Sequence, residues 1–322
     1  MVATSTNVGS PSSGGVGQRL YQKLSDIPTG ALWVLVLIWT LPSLSLFVNS
    51  FRNRDAQRND AFWNIVNERD ATIENYESVL TADATNNLTD SIVTSFAIAV
   101  PATIIPIAFA AFAAYGFAWM DFRGKNWLFV ATVSLLAVPL QVALIPLLQL
   151  FGDGDPFGGA HLTLPLTDKT LTLLPVNDLV GTPAAVWLTH TGFAMPFAIF
   201  LLHNYIVQLP KELFESAQID GANHFGMFWR LVLPLSIPAL ASFAIFQFLW
   251  TWNDYLIANT MLGFGDTAAP TTVFIANLAG DFDNTDHLLT SAAFVQAFFP
   301  IVVFFSLQRY FVSGILAGSV KG

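Results

Sequence analysis

The sequence contains no cysteine. Disulfides, thiolate metal ligation and nucleophilic thiol chemistry are thereby excluded, while the redox compartment stays open. Charge is scarce as well: 11% of residues are Asp, Glu, Lys or Arg, against about a quarter in an average soluble domain. With 54% hydrophobic residues, 29 Phe, 9 Trp and a mean hydropathy of +0.57, too little polar surface remains to cover a water-soluble globule. The chain belongs in a bilayer. Positive charge is scarcest, with 13 Lys and Arg against 22 Asp and Glu and a net charge of -9. Nucleic acid is therefore not an expected partner, because binding it rests on clustered Lys and Arg. No G-x-x-x-x-G-K-[ST] stretch is present, so the chain has no loop of that kind with which to cradle a nucleotide's phosphates. The five histidines are scattered, and His203, beside Asn204, has no carboxylate or second histidine at metal-ligand spacing. No carboxylate pair stands out for hydrolysis, since the acids lie in loops.

Abundant instead are apolar runs long enough to cross a bilayer, which takes roughly 20 residues of helix. Six are read, at 31–51, 92–120, 127–151, 183–207, 235–258 and 288–311. The expected fold is an all-α, polytopic membrane protein whose spans are joined by a cytoplasmic helix-turn-helix loop. The run at 31–51 exceeds a signal-peptide core and no clear small-residue cleavage pattern follows it, so it reads as a retained first transmembrane helix. Residues 1–30 before it form a cytoplasmic tail, largely disordered for want of apolar surface to bury. Residues 52–90 are polar, with Arg52, Arg54, Arg58 and eight acids, and are expected to be extracytoplasmic with a helical piece at 62–80. Residues 91–311 make the core, including the loop 209–234, and 312–322 form a cytoplasmic tail.

Orientation follows from the basic residues. Arg19, Lys23, Arg123, Lys125, Lys211, Arg230, Arg309 and Lys321 fall in the tails and in the second and fourth loops, which places these segments and both termini in the cytoplasm. The opposite side is acid-rich, with Asp266, Asp281, Asp283 and Asp286 in a loop that lacks Lys and Arg. The arginines at 52–58 oppose this orientation and are outweighed by the other loops. Prolines recur inside the runs, at Pro42, Pro101, Pro106, Pro139, Pro146, Pro196, Pro238 and Pro300. Each frees a carbonyl that hydrocarbon cannot solvate, so these kinks should face protein or a water-filled path.

One polar island interrupts the core, "LPKELFESAQIDGANHFGMFWRLVLP" from Leu209 to Pro234. Pro210 suits the first turn of a helix, with Glu212 and Glu215 near the positive end of its dipole. Asp220-Gly221 is a turn signal, and Asn223 can cap a second short helix on which Phe225, Phe228 and Trp229 share a face. A bare connection would need only a few residues; apolar knobs and fixed charges fit a surface on which a partner docks. Glu215 is read either as holding the loop, through the dipole or by pairing with Lys211, or as contacting that partner. Arg230 is read as a headgroup anchor or as a contact to an acidic partner surface.

Glu215-Ser216-Ala217, then Asp220-Gly221-Ala222, then Leu231, Leu233 and Pro234 resemble the EAA loop of permease subunits of ATP-binding cassette importers, with Ser216 and Leu231 in place of the usual alanine and isoleucine. The likeness extends through "MPFAIFLLHNYIVQLPKEL", "SIPALASFAIFQFLWTWNDYL" and the terminal "GILAGSVKG", over residues 88–322, and is similar to the second permease of the maltose or α-glucoside kind. The resemblance implies a non-catalytic subunit in a prokaryotic plasma membrane. It implies a second permease subunit, a cytoplasmic ATPase dimer that docks on the loop through Glu215, Ser216, Ala217, Asp220, Gly221, Ala222, Phe225, Phe228 and Arg230, and an extracytoplasmic sugar-binding protein. Membrane lipid is the remaining partner. No cofactor is expected on this chain, ATP and Mg2+ belonging to the ATPase.

A second cluster, Trp250, Trp252, Asn253, Asp254 and Tyr255, lies near the outer end of the fifth run. An acid there marks a translocation path or braces a helix end within an aromatic belt, and both readings stay open. A permease for a non-sugar solute, a membrane-embedded enzyme and a stand-alone channel or secondary transporter are the rival functions. The enzyme would need a polar catalytic pair inside the spans, and the channel would need no docking loop.

Overall fold

The computed structural model describes residues 28–65, 71–81, 87–152, 161–163, 170–172, 179–263, 269–280 and 282–319; for 161–163, 170–172, 282–284, 286 and 310–319 only the backbone is described. The expected disordered stretch up to residue 27, and Asp266 and Asp281 of the acid-rich loop, fall outside the described residues.

The protein is a helical membrane bundle. Its long spans are α1 (Thr29–Ser50), α4 (Leu88–Trp119), α7 (Pro183–Ile206) and α13 (Phe282–Ser319), of which α13 crosses with its His287–Arg309 portion. Between α1 and α4 lie α2 (Arg54–Asn59) and α3 (Glu74–Thr81). After α4 come α5 (Lys125–Ser134) and α6 (Leu140–Phe151), then a two-stranded antiparallel ribbon of β1 (His161–Thr163) and β2 (Thr170–Thr172), which the helical expectation did not include. Beyond α7 follow α8 (Lys211–Ile219), α9 (His224–Met227), α10 (Ile237–Trp252), α11 (Leu256–Leu262) and α12 (Thr271–Gly280). Among the described residues four helices are long and apolar enough to cross a membrane, or six spans if two bent pairs each count as one.

Those bent pairs correct two expected boundaries. The run 127–151 is not straight: α5 and α6 meet at 102°, because Pro139 forces the residue before it out of helical geometry and Val138 is extended (φ -77, ψ 117). The run 235–258 ends early, at Trp252. Asn253 turns its side chain back to the Leu249 carbonyl (2.8 Å), and Asp254 Oδ2 accepts from the Ala258 amide (3.0 Å), starting α11 as a separate helix.

Packing centres on α4 and α7, whose contact is the most extensive of the bundle. Ala102, Ala110 and Ala114 of α4 and Ala185, Ala194 and Ala198 of α7 are almost wholly buried. Small side chains let the two backbones approach closely, and in lipid that dispersion contact supplies much of the association. Three prolines find protein partners for the carbonyls they free. Pro101 frees Ala97, which accepts from Trp187 Nε1 (2.9 Å); Pro106 frees Ala102, which accepts from Gln247 Nε2 (3.2 Å); Pro300 frees Gln296, which accepts from Trp252 Nε1 (3.2 Å). The outer faces stay apolar, with Leu37, Trp39, Phe109, Trp127, Ile145 and Phe305 all more than half exposed to the surroundings that lipid would fill.

The segment after α1 differs from the single helix expected over 62–80. A 3-10 turn at Phe62–Asn64 is followed, beyond undescribed residues, by extended backbone at Ala71, which bridges to Arg52 while the Thr72 amide donates to the Phe51 carbonyl (2.6 Å). Helix begins only at Glu74, whose amide donates to Thr72 Oγ1 (3.1 Å). Arg52 itself is fully buried, donating to the Ala61 carbonyl (3.2 Å) and lying 4.0 Å from the Asp60 carboxylate. A buried, internally partnered guanidinium makes a poor topology signal.

Candidate coupling surface

The island at 209–234 folds as two helices joined by a tight turn. At the end of α8, the Ala222 amide donates to the Ala217 carbonyl (2.9 Å) and the Gly221 amide to the Gln218 carbonyl (3.0 Å). With Gly221 at φ +79 this is a Schellman termination, which needs a residue free to adopt the left-handed conformation. The spacing of the motif thus has a physical cause: Ala217 and Ala222 are the two ends of the closing bond, and Gly221 makes the turn. Asn223 then caps α9, its Oδ1 accepting from the Gly226 amide (2.8 Å), a contribution of about 1 kcal/mol. Helix continues through a π-helical turn at Phe228–Val232 and a last turn at Leu233–Leu235, and bends 69° into α10.

Aromatic contacts seat this unit on the C-terminal end of α4. Phe214 of α8 is 2% exposed and stacks on Trp119 at 3.7 Å between centroids. Phe228 is 3% exposed and stacks on Phe112 at 4.3 Å. Tyr115 packs against Phe228, and a hydrogen bond of 2.9 Å joins its hydroxyl to His224 Nδ1. At the far end, the Tyr205 hydroxyl donates to the Leu235 carbonyl (3.0 Å).

Opposite these contacts an exposed face remains. It presents Lys211, Glu212, Glu215, Ser216, Asp220 and Arg230, with Ile219 and Phe225 as exposed apolar side chains, while Trp229, partly exposed, lies at its border edge-on to Phe112. Ser216 donates its hydroxyl to the Glu212 carbonyl. Two expectations need correction. Phe228 does not share an outward face with Phe225 and Trp229 but is a core residue. Glu215 lies past the first turn of α8, where the dipole is weaker, and among the described residues no ion pair joins it to Lys211. Ala217 and Ala222 are half-buried against a core cluster shared by α4, α7 and the loop.

The outer cluster is dispersed by the break after α10. Trp252 is 2% exposed, packed among Phe96, Phe248 and Phe299, so it belongs to no headgroup belt. Tyr255 and Asn253 are exposed, and Trp250 is half-buried. The Asp254 side chain is mostly buried, and besides capping α11 its Oδ2 lies 3.6 Å from Nε2 of His190, a histidine wholly buried in α7 that packs edge-on to Trp250. Sequence reasoning passed over His190, although an ionisable side chain in the middle of an apolar run is itself a signal. Among the described residues no group of acids and histidines is arranged to hold a metal ion.

The family model described as "Binding-protein-dependent transport system inner membrane component" matches residues 106–316. An osmoprotective compounds uptake permease protein of Synechocystis sp. is 45% identical over 295 residues, 90% of this chain and 90% of that protein. An alpha-glucoside transport system permease protein of Rhizobium meliloti is 48% identical over 251 residues, 78% of this chain and 60% of that protein. Among solved structures, a chain of a bacterial ABC transporter involved in the import of the acidic polysaccharide alginate superposes with a TM-score of 0.65 over 94% of this chain and 100% of that one, at 18% identity.

Proposed function

This chain belongs to the binding-protein-dependent transport system inner membrane component family, and from that premise we propose that it forms half of the translocation path of an ATP-driven importer for α-glucosidic di- or oligosaccharides. A separate ATPase dimer binds ATP and Mg2+ and docks on the exposed face of α8 and α9. An extracytoplasmic binding protein delivers the sugar, and a second permease completes the path. In this reading the loop and both termini are cytoplasmic and residues 52–90 are extracytoplasmic.

The observation that carries the reading is the two-sided construction of the loop. One side is clamped to the bundle by Phe214 and Phe228, while the other leaves Ile219 and Phe225 exposed, Phe225 touching only Trp229 of the same loop among the described rings, and Glu215 and Asp220 exposed without an ion pair among the described residues. A surface so built can take a push from outside the membrane and pass it inward. Glu215→Ala and Asp220→Ala should lower ATPase retention on membranes, or its stimulation by loaded binding protein, with the second permease still bound. The double change should be worse than either alone. Full retention and stimulation without transport would remove the loop as the coupling surface.

A second solute reading rests on the relative named for osmoprotective compounds. Competition between labelled maltose and unlabelled osmoprotective compounds for uptake separates the two, since only the preferred solute will displace the other at low excess.

A further inference from the structure

The loop is joined to the membrane bundle along the chain only through its two ends, and the exit end bends 69° at Ser236 (φ -89, ψ 1) after a π-helical turn. A push delivered to such a joint would be lost in bending unless a lateral contact carries it. The last turns of α4 offer that contact. Phe112, Tyr115 and Trp119 fall at i, i+3 and i+7 on one face and touch Phe228, His224 with Phe228, and Phe214 respectively. The two ring stacks are broad apolar contacts that tolerate sliding. The Tyr115–His224 bond differs, being directional and joining residues 109 apart in sequence. His224 is the residue next to the Asn223 cap, so the bond fixes where α9 begins relative to α4.

We propose that Tyr115 is a positioning residue for coupling: through His224 it locks the first turn of α9 to the inner end of α4, so that displacement of the loop moves that span. The assignment rests on the reading of the loop as the site that receives the ATPase. It adds a member of the coupling path that lies outside the loop and its motif.

The test uses the full chain in membranes with its partners. Tyr115→Phe keeps the ring packing and removes the hydroxyl, His224→Ala removes the other end, and His224→Asn restores a polar atom near the position of Nδ1. Tyr115→Phe and His224→Ala should each speed amide exchange over residues 224–235 by about two- to tenfold, the range that one lost hydrogen bond allows. Each should lower labelled maltose taken up per ATP hydrolysed by a similar factor at equal subunit level and equal ATPase retention. His224→Asn should recover most of the loss, and the double change Tyr115→Phe with His224→Ala should be no worse than either alone. Unchanged exchange, additive losses, or faster exchange with unchanged uptake per ATP would each overturn the proposal. Absence of ATP-driven maltose uptake in the unsubstituted complex would instead count against the sugar reading, and the exchange result would then decide alone whether the lock exists.

Discussion

At Gly221 a single backbone angle decides whether the two loop helices meet. With φ at +79, a Cβ there would meet nothing within 4 Å, so space is not the obstacle; the backbone conformation is. Substitution by valine costs on the order of 1–2 kcal/mol in the left-handed region, whereas asparagine is tolerated there more readily. Gly221→Val is therefore expected to insert normally yet lose most transport, with Gly221→Asn close to the unsubstituted protein. Uptake assays at matched expression check this, and equal uptake by the two variants would mean that the turn does not govern function. The same logic of local chemistry sets Asp254, whose carboxylate begins α11 and meets His190 across the bundle. In the break between α10 and α11 this carboxylate thus bonds the first turn of α11 and faces a buried imidazole.

Among the elements, α4, α7, α10 and α13 are tied by side chains that answer proline-freed carbonyls. Trp187 reaches from α7 to α4, Gln247 from α10 to α4, and Trp252 from α10 to α13. In lipid a carbonyl left unpaired costs several kcal/mol by transfer estimates, although measured interhelical bonds average only about 0.6 kcal/mol because helices relax and find other partners. Gln247→Leu preserves apolar volume and removes the donor to Ala102. It is expected to lower thermal stability of the detergent-solubilised protein by an amount equivalent to about 0.5–2 kcal/mol, measured as a shift in the aggregation midpoint. Adding Pro106→Ala restores an amide to satisfy Ala102 within its own helix, and the pair should recover much of the loss. A Gln247→Leu deficit that Pro106→Ala leaves untouched would mean that the glutamine works through packing and not through the freed carbonyl.

For the molecule as a whole, the proposed orientation is open to direct chemistry because the chain has no native cysteine. Asn59 in α2 and Gln218 in α8 are both exposed. If the segment after α1 faces outward and the loop faces the cytoplasm, Asn59→Cys should react with an impermeant maleimide in intact cells. Gln218→Cys should react only after permeabilisation. The reverse pattern would invert the topology and place the loop where no cytoplasmic ATPase could reach it. The apolar outer faces of α1 and α5 are consistent with either orientation, since hydrocarbon distinguishes depth and not side.

Membrane residence, the helical class of the fold, and the turn at Asp220-Gly221 were legible in the sequence, because each depends on composition or on neighbours a few residues apart. The cap at Asn223 was readable for the same reason. The inward burial of Phe228 was not, since neighbouring helical side chains point about 100° apart and only the approach of Phe112 and Tyr115 decides that Phe228 turns inward. Nor was the 102° bend, for a proline announces a break in helix and leaves its angle to the packing around it. Trp252 and Gln247 show the same division: their types fit an interface or a path equally well, and only the approach of α4 and α13 made them donors to particular carbonyls. Partners such as Tyr115 and His224, or His190 and Asp254, stand far apart along the chain. Their meeting is a property of how the helices pack, which no local pattern encodes.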